Sequence, residues 1–286
     1  KAIEEKREIV YPSLETLRAE TEEEAAVVAL TVLDDQGATV RRLETKPAKG
    51  MQRLTWDLRF PAADPAAKSV VAAPFTPPAQ GPLAAPGRYR ARLEQSAGGS
   101  TRLLGEVDFE VEVLANATLP AKDRAAVLDF QRQTARLQRA VLGAERFAAE
   151  LKERLALLRI AVDSPQASGV PASAVPGLDA RLRAQELALV RIATALSGDG
   201  FLRARNEADP PSISERVMNV VYSSWASTAE PTRTQRDAYA IAGAAFAQEL
   251  ARLARFDQDL AAIENEMERV GAPWTPGRLP VWQLEE

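Results

Sequence analysis

The spacing of apolar residues changes once along the chain, near Asn116. Before this residue, from Ala25 onward, apolar and polar positions alternate with a period of two, which is typical of β-strands. After it, apolar residues recur every three or four positions, which is typical of α-helices. We therefore predict an α+β, multi-domain chain with four parts: a connector (1–24), a β domain (25–116), a helical domain (117–272) and a tail (273–286).

The β domain is predicted to be an Ig-like antiparallel β-sandwich. Short alternating segments are separated by turn signals such as Asp34-Asp35-Gln36-Gly37, which favours a plain hairpin turn over a calcium loop. The proline-rich stretch 60–86 is predicted to be a long surface loop, because proline cannot donate to a strand ladder. About five to seven short strands in this length are typical of such a sandwich. The predicted strand faces are Val28/Leu30/Val32, Leu54/Trp56/Leu58, Tyr89/Ala91/Leu93 and Val107/Phe109/Val111.

The helical domain is predicted to be a long antiparallel bundle. A seam of apolar residues begins at Val127 and continues through a helix of about 40 residues. Capping-box spacing marks the starts of the third and fourth helices, at Ser212 and Thr232. The fourth helix ends at Gly271, a position where a glycine cap is expected. Because the first and last helices have similar lengths, we predict that these two pack antiparallel with the shorter pair between them.

Composition narrows the chemistry, because the 286 residues include no histidine and no cysteine. Triads that use histidine or a thiolate, the usual zinc sites and disulfides are therefore excluded. We predict no catalytic residue, no cofactor and no metal site in this chain. The net charge of −4 argues against nucleic acid as a partner. No apolar run approaches the roughly 20 residues of a membrane span, so none is predicted.

One acidic cluster in the last helix invites a catalytic interpretation. Glu264, Glu266 and Glu268 could act as glycosidase carboxylates only if two of them flanked a cleft and one had a raised pKa. On a helix that carries a heptad seam, such residues usually lie on the solvated face. We therefore expect the three glutamates to be solvated rather than catalytic.

The β part carries a recognisable pattern. It reads Leu30-Thr-Val-Leu-Asp34, then Leu54-Thr-Trp-Asp-Leu-Arg59, then Pro86-Gly-Arg-Tyr89. This pattern resembles the Ig-like module at the end of many large exported bacterial proteins, and it is similar to that of flagellar hook-capping proteins. The Ig-like pattern is generic, so the resemblance implies a fold for this part and no activity.

The helical part carries a more specific pattern. It reads Pro211-Ser-Ile-Ser-Glu-Arg-Val217 and closes with Gly271-Ala-Pro-Trp-Thr-Pro-Gly-Arg-Leu-Pro280. This resembles the C-terminal region of bacterial sortilin-like or sialidase-like β-propeller proteins, which carry BNR-type repeats and are often labelled glycosyl hydrolases. The resemblance covers residues 10–282. In that family the propeller precedes this region, and a hydrolytic site is expected in the propeller.

The resemblance implies a non-catalytic accessory module at the C-terminal end of a larger exported protein, periplasmic or extracellular. No Asp-box repeat occurs here, so the hydrolase label carries over to no residue. Because the chain begins at Lys1 without methionine or signal peptide, we expect it to be a processed product or a piece of a longer one. The alternative is a region of a carbohydrate-active enzyme whose active site lies in the propeller.

Packing, spacing or self-association is the expected role. The expected partners are the protein's own propeller or a second copy of the chain. Ala144 and Ala148 narrow the first helical seam, which would allow close approach of a second copy and a homodimer through the helices.

Aromatic residues offer another function, the binding of a sugar ring or a proline-rich peptide by stacking. The alternative is a structural role, in which Trp274 and Trp282 of the tail pack on the helices or on a neighbouring propeller. The candidate binding residues are Tyr222, Trp225, Trp274 and Trp282.

Overall fold

The protein is mixed α+β and forms two compact units. One unit comprises Lys1–Pro61 and Leu83–Ala115, and the other comprises Ala62–Pro82 and Asn116–Glu286. The division at Asn116 coincides with the change of sequence period. The computed structural model describes residues 11–66, 79–114, 119–163, 175–225, 227–280 and 282–284.

The described part of the first unit forms one short helix and a four-stranded antiparallel sheet. The strand order is β2-β1-β3-β4, and every neighbouring pair is antiparallel. The Asp34 carboxylate closes the turn between β1 and β2 by accepting the backbone N–H groups of Gln36 at 3.1 Å and Ala38 at 2.7 Å. The predicted hairpin is therefore confirmed. The elements are α1 (Leu14–Glu22), β1 (Val27–Asp34), β2 (Thr39–Thr45), β3 (Gly87–Ala97) and β4 (Ser100–Val111).

The strand predicted around Trp56 does not form. Outside the four strands, the only described β-bridge in this unit joins Arg59 to Leu83. Leu58 has φ 58°, and the Trp56 indole N–H donates to the carbonyl of Arg59 at 3.0 Å. This local hydrogen bond and the left-handed residue bend the backbone away from extended geometry. The described residues thus form one sheet, whereas an Ig-like sandwich has two.

An aromatic cluster nevertheless builds a small core on one face of the sheet. The Trp56 ring meets Tyr89 edge to face at 5.6 Å between centroids and Phe109 at 6.1 Å. Val32 and Val40 are buried with them. The opposite face carries cross-strand ion pairs such as Arg90–Asp108 at 2.7 Å. The hydrogen bond from Arg90 lowers the pKa of Asp108.

The described residues of the second unit form five helices, four of which contribute to one apolar core. Both predicted capping boxes form, because Ser212 exchanges hydrogen bonds with Glu215 and Thr232 does so with Gln235. The predicted glycine cap also forms, since Gly271 has φ 75° and follows the last helix. The helices are α2 (Arg124–Asp163), α3 (Val175–Ser197), α4 (Gly200–Arg203), α5 (Ile213–Trp225) and α6 (Arg233–Arg269).

The two long helices, α2 and α6, run in the same direction. Near their starts, the Phe130 and Tyr239 rings are 5.7 Å apart. Near their ends, the Arg154 guanidinium donates to Glu264 at 2.8 Å. The prediction that the first and last helices pack antiparallel is therefore wrong.

The reason lies in the break between α3 and α5. Helix α3 runs antiparallel to α2, because Arg159 pairs with Glu186 and Glu145 with Ser197. Helix α5 continues in that direction, since the Gln131 amide donates to the carbonyl of Ser224 at 2.9 Å. The interruption at 198–212 stops the helix without reversing the chain. Two reversals instead of three separate α2 from α6, so they become parallel.

Within the part of the chain that the structure describes, no helix combines the length and the apolar character that a membrane crossing requires.

Candidate functional site

The four predicted binding aromatics differ sharply in accessibility. Tyr222 is 72% exposed, Trp274 is 53% exposed and Trp282 is 79% exposed. Trp225 is only 7% exposed and belongs to the core of the helical unit. Trp225 therefore cannot stack on a ligand. Its burial follows from helical spacing, because it lies four residues after Val221 on the buried face of α5.

The accessible aromatics do not converge on one site. Tyr222 lies near the start of α6, since the Gln235 amide donates to Ser223 at 2.9 Å. Trp274 follows the opposite end of α6, a helix of 37 residues. At 1.5 Å per residue such a helix is about 55 Å long. Tyr222 and Trp274 therefore do not belong to one stacked site.

The acidic cluster near the end of α6 contains a buried carboxylate instead of three solvated ones. Glu264 is 4% exposed and accepts hydrogen bonds from Arg154, at 3.2 Å from Nε and 2.8 Å from Nη2. A third donor atom of Arg154, Nη1, bonds Asp257 at 3.0 Å. The expectation of a solvated face is wrong for Glu264. Its companions are half-exposed and paired, Glu266 with Arg181 and Glu268 with Arg278.

Arg278 holds the chain segment after α6 against the helices. Its guanidinium donates to the side chain of Glu268, to the carbonyl of Glu264 at 3.3 Å and to the carbonyl of Pro273 at 3.0 Å. Its own carbonyl accepts the Trp274 indole N–H at 3.1 Å. We call the set Arg154, Glu264, Glu268 and Arg278 the tail clasp.

A glycine completes the tail clasp. Gly277 has φ 100°, and a Cβ at this position would lie 3.2 Å from Arg154 Nε. Both features favour glycine, because side chains are strained at this φ and the contact is tight. Most residues of the closing motif, Gly271–Pro280, thus cap α6 or fasten the tail to the helices.

The electrostatics of the tail clasp stabilise ionised groups. Burial lowers the pKa of Arg154, but hydrogen bonds and charges from Glu264 and Asp257 outweigh that effect and leave the pKa above its ordinary value. Hydrogen bonds from Arg183 and Arg159 likewise lower the pKa of Glu186 nearby. The tail clasp is thus a network of ion pairs and hydrogen bonds that holds Arg154 in its charged form.

The predicted dimer seam is also part of the fold. Ala144 and Ala148 are both buried in the core that α2 shares with the other helices. They allow close packing within this chain and are not available to a second copy. The two alanines therefore do not offer a surface for a homodimer, and the homodimer through the helices stays a prediction.

Open cavities in the helical unit lie between neighbouring helices. A groove of about 590 Å³ between α2 and α3 is mostly apolar and includes Leu155 and Val190. A second groove of about 410 Å³, between α3 and α6, is lined by arginines over an apolar floor. No cluster of three or more carboxylates suited to a metal ion occurs among the described residues.

Sequence reasoning missed Arg154 and Arg278, the two residues that organise the tail clasp. Arg154 flanks the apolar seam of α2 between Leu151 and Leu155, where a charged residue looks solvated. The only sequence signal was the density of turn residues around Arg278, in a tail that follows a capped helix end.

No known protein family, no curated protein and no solved structure matches this chain. The resemblance to sortilin-like and sialidase-like propeller proteins consequently stays a prediction, carried by the residues of 211–217 and 271–280.

Proposed function

We propose that the chain is a non-catalytic accessory module at the C-terminal end of a larger, exported β-propeller protein. The tail clasp carries this proposal. The polar groups of the closing motif, Gly271–Pro280, fasten the tail to the helices. Arg278 donates hydrogen bonds to the Glu268 side chain and to the carbonyls of Glu264 and Pro273. A motif used in this way serves packing and leaves no group free for chemistry.

The long helices support a spacing role. Helix α2 has 40 residues and α6 has 37. At 1.5 Å per residue, each is about 55 to 60 Å long. A continuous core runs along both helices, from Val141 and Ala242 to Val162 and Met267. We propose that this bundle acts as a rigid spacer, which keeps the proposed β-propeller at a fixed distance from whatever the bundle contacts.

The first unit, in the same proposal, is an Ig-like module. Its Tyr89 hydroxyl donates to the carbonyl of Ala85, four residues upstream. This is the pattern of the tyrosine corner found in β-sandwich domains. Trp56 and Phe60, which come from a non-strand segment, pack on the sheet where a second sheet would lie. This packing supports a sandwich whose second layer is irregular.

The Tyr89 hydroxyl makes the stability of the first unit sensitive to alkali. Burial raises the pKa of Tyr89 above its ordinary value of 10.0, and the charges of Asp34 and Asp35 raise it further. A raised pKa stabilises the fold fully below pH 10.0 and loses that contribution as the pH rises through the folded value. We expect Tyr89→Phe to lower the stability of this unit by about 1 kcal/mol at pH 7 and to reduce its alkaline loss.

Urea unfolding at several pH values, with tyrosinate absorbance, measures both effects. Tyr222→Phe is the matched control, because Tyr222 is exposed and its loss should leave stability unchanged. Identical alkaline profiles for wild type and Tyr89→Phe would contradict the assignment.

Hydrolysis assays test the non-catalytic role. We expect the purified chain to fold and to release no product from aryl-glycoside or sialoside substrates. Turnover that disappears in Glu264→Gln would sink the proposal and favour the alternative, a region of a carbohydrate-active enzyme. A further check is the coding sequence before Lys1, where we expect Asp-box repeats. A different architecture upstream would remove the propeller part of the proposal.

One observation favours a second candidate, a peptide- or glycan-binding module. The Trp274 ring is half-exposed, and its indole N–H is fixed on the carbonyl of Arg278. A rigid, exposed ring is suited to stacking on a sugar or on proline. Loss of binding to a glycan or proline-rich peptide array in Trp274→Ala, with unchanged melting, would support this candidate. Unchanged binding would remove it.

A further inference from the structure

The groove between α3 and α6 has an apolar floor and a basic rim. Ile192 and Phe256 contribute to the floor, while Arg191, Arg252 and Arg255 contribute to the rim. Asp259 is the acidic side chain that lines it. A smaller depression beside Arg181 shares Asp259 with this groove and extends it along the same two helices. The two depressions together form one channel on the surface of the helical unit.

Two of these arginines lack a partner within the part of the chain that the structure describes. Arg252 donates to Glu249 at 2.7 Å. Arg191 and Arg255 form no ion pair and no side-chain hydrogen bond with the described residues, and both are exposed. Guanidinium groups beside an apolar surface favour a partner that combines carboxylates with apolar side chains.

Helix α1 has that combination and lacks a packing surface. It is nine residues long, and none of its residues is buried. Isolated helices shorter than about 12 residues are marginal in water, so α1 gains stability if its apolar side packs. Leu14 and Leu17 form that side, because they are three residues apart. Glu20 and Glu22 lie on its two flanks.

Length and charge match between α1 and the groove. Nine residues of helix span about 13 to 14 Å. The groove runs along α6 from Arg252 to Ile263, which is about 16 Å. The charges are opposite, since α1 carries Glu15, Glu20 and Glu22 with one base, Arg18. The two depressions together carry four arginines, Arg191, Arg252, Arg255 and Arg181, with one acid, Asp259.

We propose that α1 of one copy binds in the α3–α6 groove of a second copy, with Leu14 and Leu17 on its apolar floor. The exchange is reciprocal, so it forms a closed dimer with two identical contacts. This inference rests on the proposed accessory role and adds to it a surface for self-association. It also replaces the alanine seam of α2, which is buried within the chain.

Sedimentation velocity on the full chain tests the dimer. We expect a concentration-dependent dimer that weakens at least tenfold in Arg191→Glu/Arg255→Glu and in Glu20→Arg/Glu22→Arg. An equimolar mixture of these two double variants should dimerise again, because each copy then meets a partner of opposite charge at both contacts. The matched control is Arg136→Glu/Arg139→Glu, two exposed arginines of α2, which should leave the dimer intact.

The outcomes separate this inference from the proposed function. A monomer at every concentration overturns it, and so does a dimer that ignores the groove variants or a mixture that fails to reassociate. Circular dichroism identifies any variant that fails to fold. The other double variant, which changes only the opposite side of the same contact, then decides whether the dimer weakens. None of these results bears on the hydrolysis assay, so the non-catalytic role can stand if the dimer falls.

Discussion

Replacing Arg154 by alanine is expected to lower the free energy of unfolding of the helical unit by about 3–5 kcal/mol. Glu264 is 4% exposed and receives two donor atoms of Arg154. Without the guanidinium, the buried carboxylate loses its compensating charge and must ionise unpaired or take up a proton. Urea unfolding followed by circular dichroism at 222 nm measures the loss, since this wavelength reports the helices.

Two controls separate the loss of a buried charge pair from the loss of any arginine. Arg154→Met/Glu264→Leu removes both charges and keeps apolar volume, so it should recover most of the stability. Arg183→Ala breaks an exposed pair with Glu186 and should change stability by about 1 kcal/mol or less. A change that small in Arg154→Ala as well would mean that the tail clasp contributes little to the fold.

The buried seam of α2 could be predicted from the sequence, because buried residues on a helix recur with the helical period of 3.6 residues. Nearly every residue of the predicted seam is buried, from Val127 and Phe130 to Leu158 and Val162. Whether α2 and α6 pack parallel or antiparallel could not be predicted from the sequence. A heptad pattern identifies the buried face of a helix, and that face is the same in both orientations. The deciding feature was whether the break at 198–212 reverses the chain, and glycines and prolines mark a break without giving its angle.

One buried position of α6 carries a charged residue. Leu250 is exposed, whereas the neighbouring Glu249 is buried. Buried positions of α6 repeat by threes and fours through Phe246, Glu249 and Leu253. A glutamate at a seam position is tolerated because Arg252 pairs with it. Both Glu249 and Leu250 fit the helical period between Phe246 and Leu253, so hydrophobicity alone favours the leucine.

The sheet shows the same limit in another form. Period-two alternation correctly indicated that Trp56 faces inward, as its contacts with Tyr89 and Phe109 show. It incorrectly indicated a paired strand, because Leu58 adopts a left-handed conformation. Alternation placed Trp56 correctly, but Leu58 and Val107, which it also placed on apolar faces, are exposed. Strand pairing depends on backbone geometry that the pattern does not encode.

The tail clasp could not be predicted from the sequence because its residues are far apart along the chain. Arg154 and Glu264 are 110 residues apart in the chain. Each residue alone looks like a charge on the solvated side of a helix. Only the parallel arrangement of α2 and α6 brings them to the same level, and that arrangement was itself unpredicted.

Leu158→Ala is expected to lower the free energy of unfolding of the helical unit by about 3–4 kcal/mol. Leu158 is fully buried, in the core cluster that also holds Leu182 and Leu260 of the neighbouring helices. Truncation removes apolar contacts and leaves a cavity, and packed helices on several sides cannot close it fully. Urea unfolding again measures the effect, with the midpoint shifting and the slope unchanged if the unit still unfolds as one.

The adjacent residue provides the control for the packing direction of α2. Leu157 is 37% exposed, whereas Leu158 is 0% exposed. Leu157→Ala should therefore cost about 1 kcal/mol or less, since much of its side chain already meets water and alanine is the better helix former. Equal losses for the two variants would contradict the seam assignment. A small loss for Leu158→Ala alone would mean that α3 and α6 do not close over this part of α2, which would also remove the bundle on which the spacing role depends.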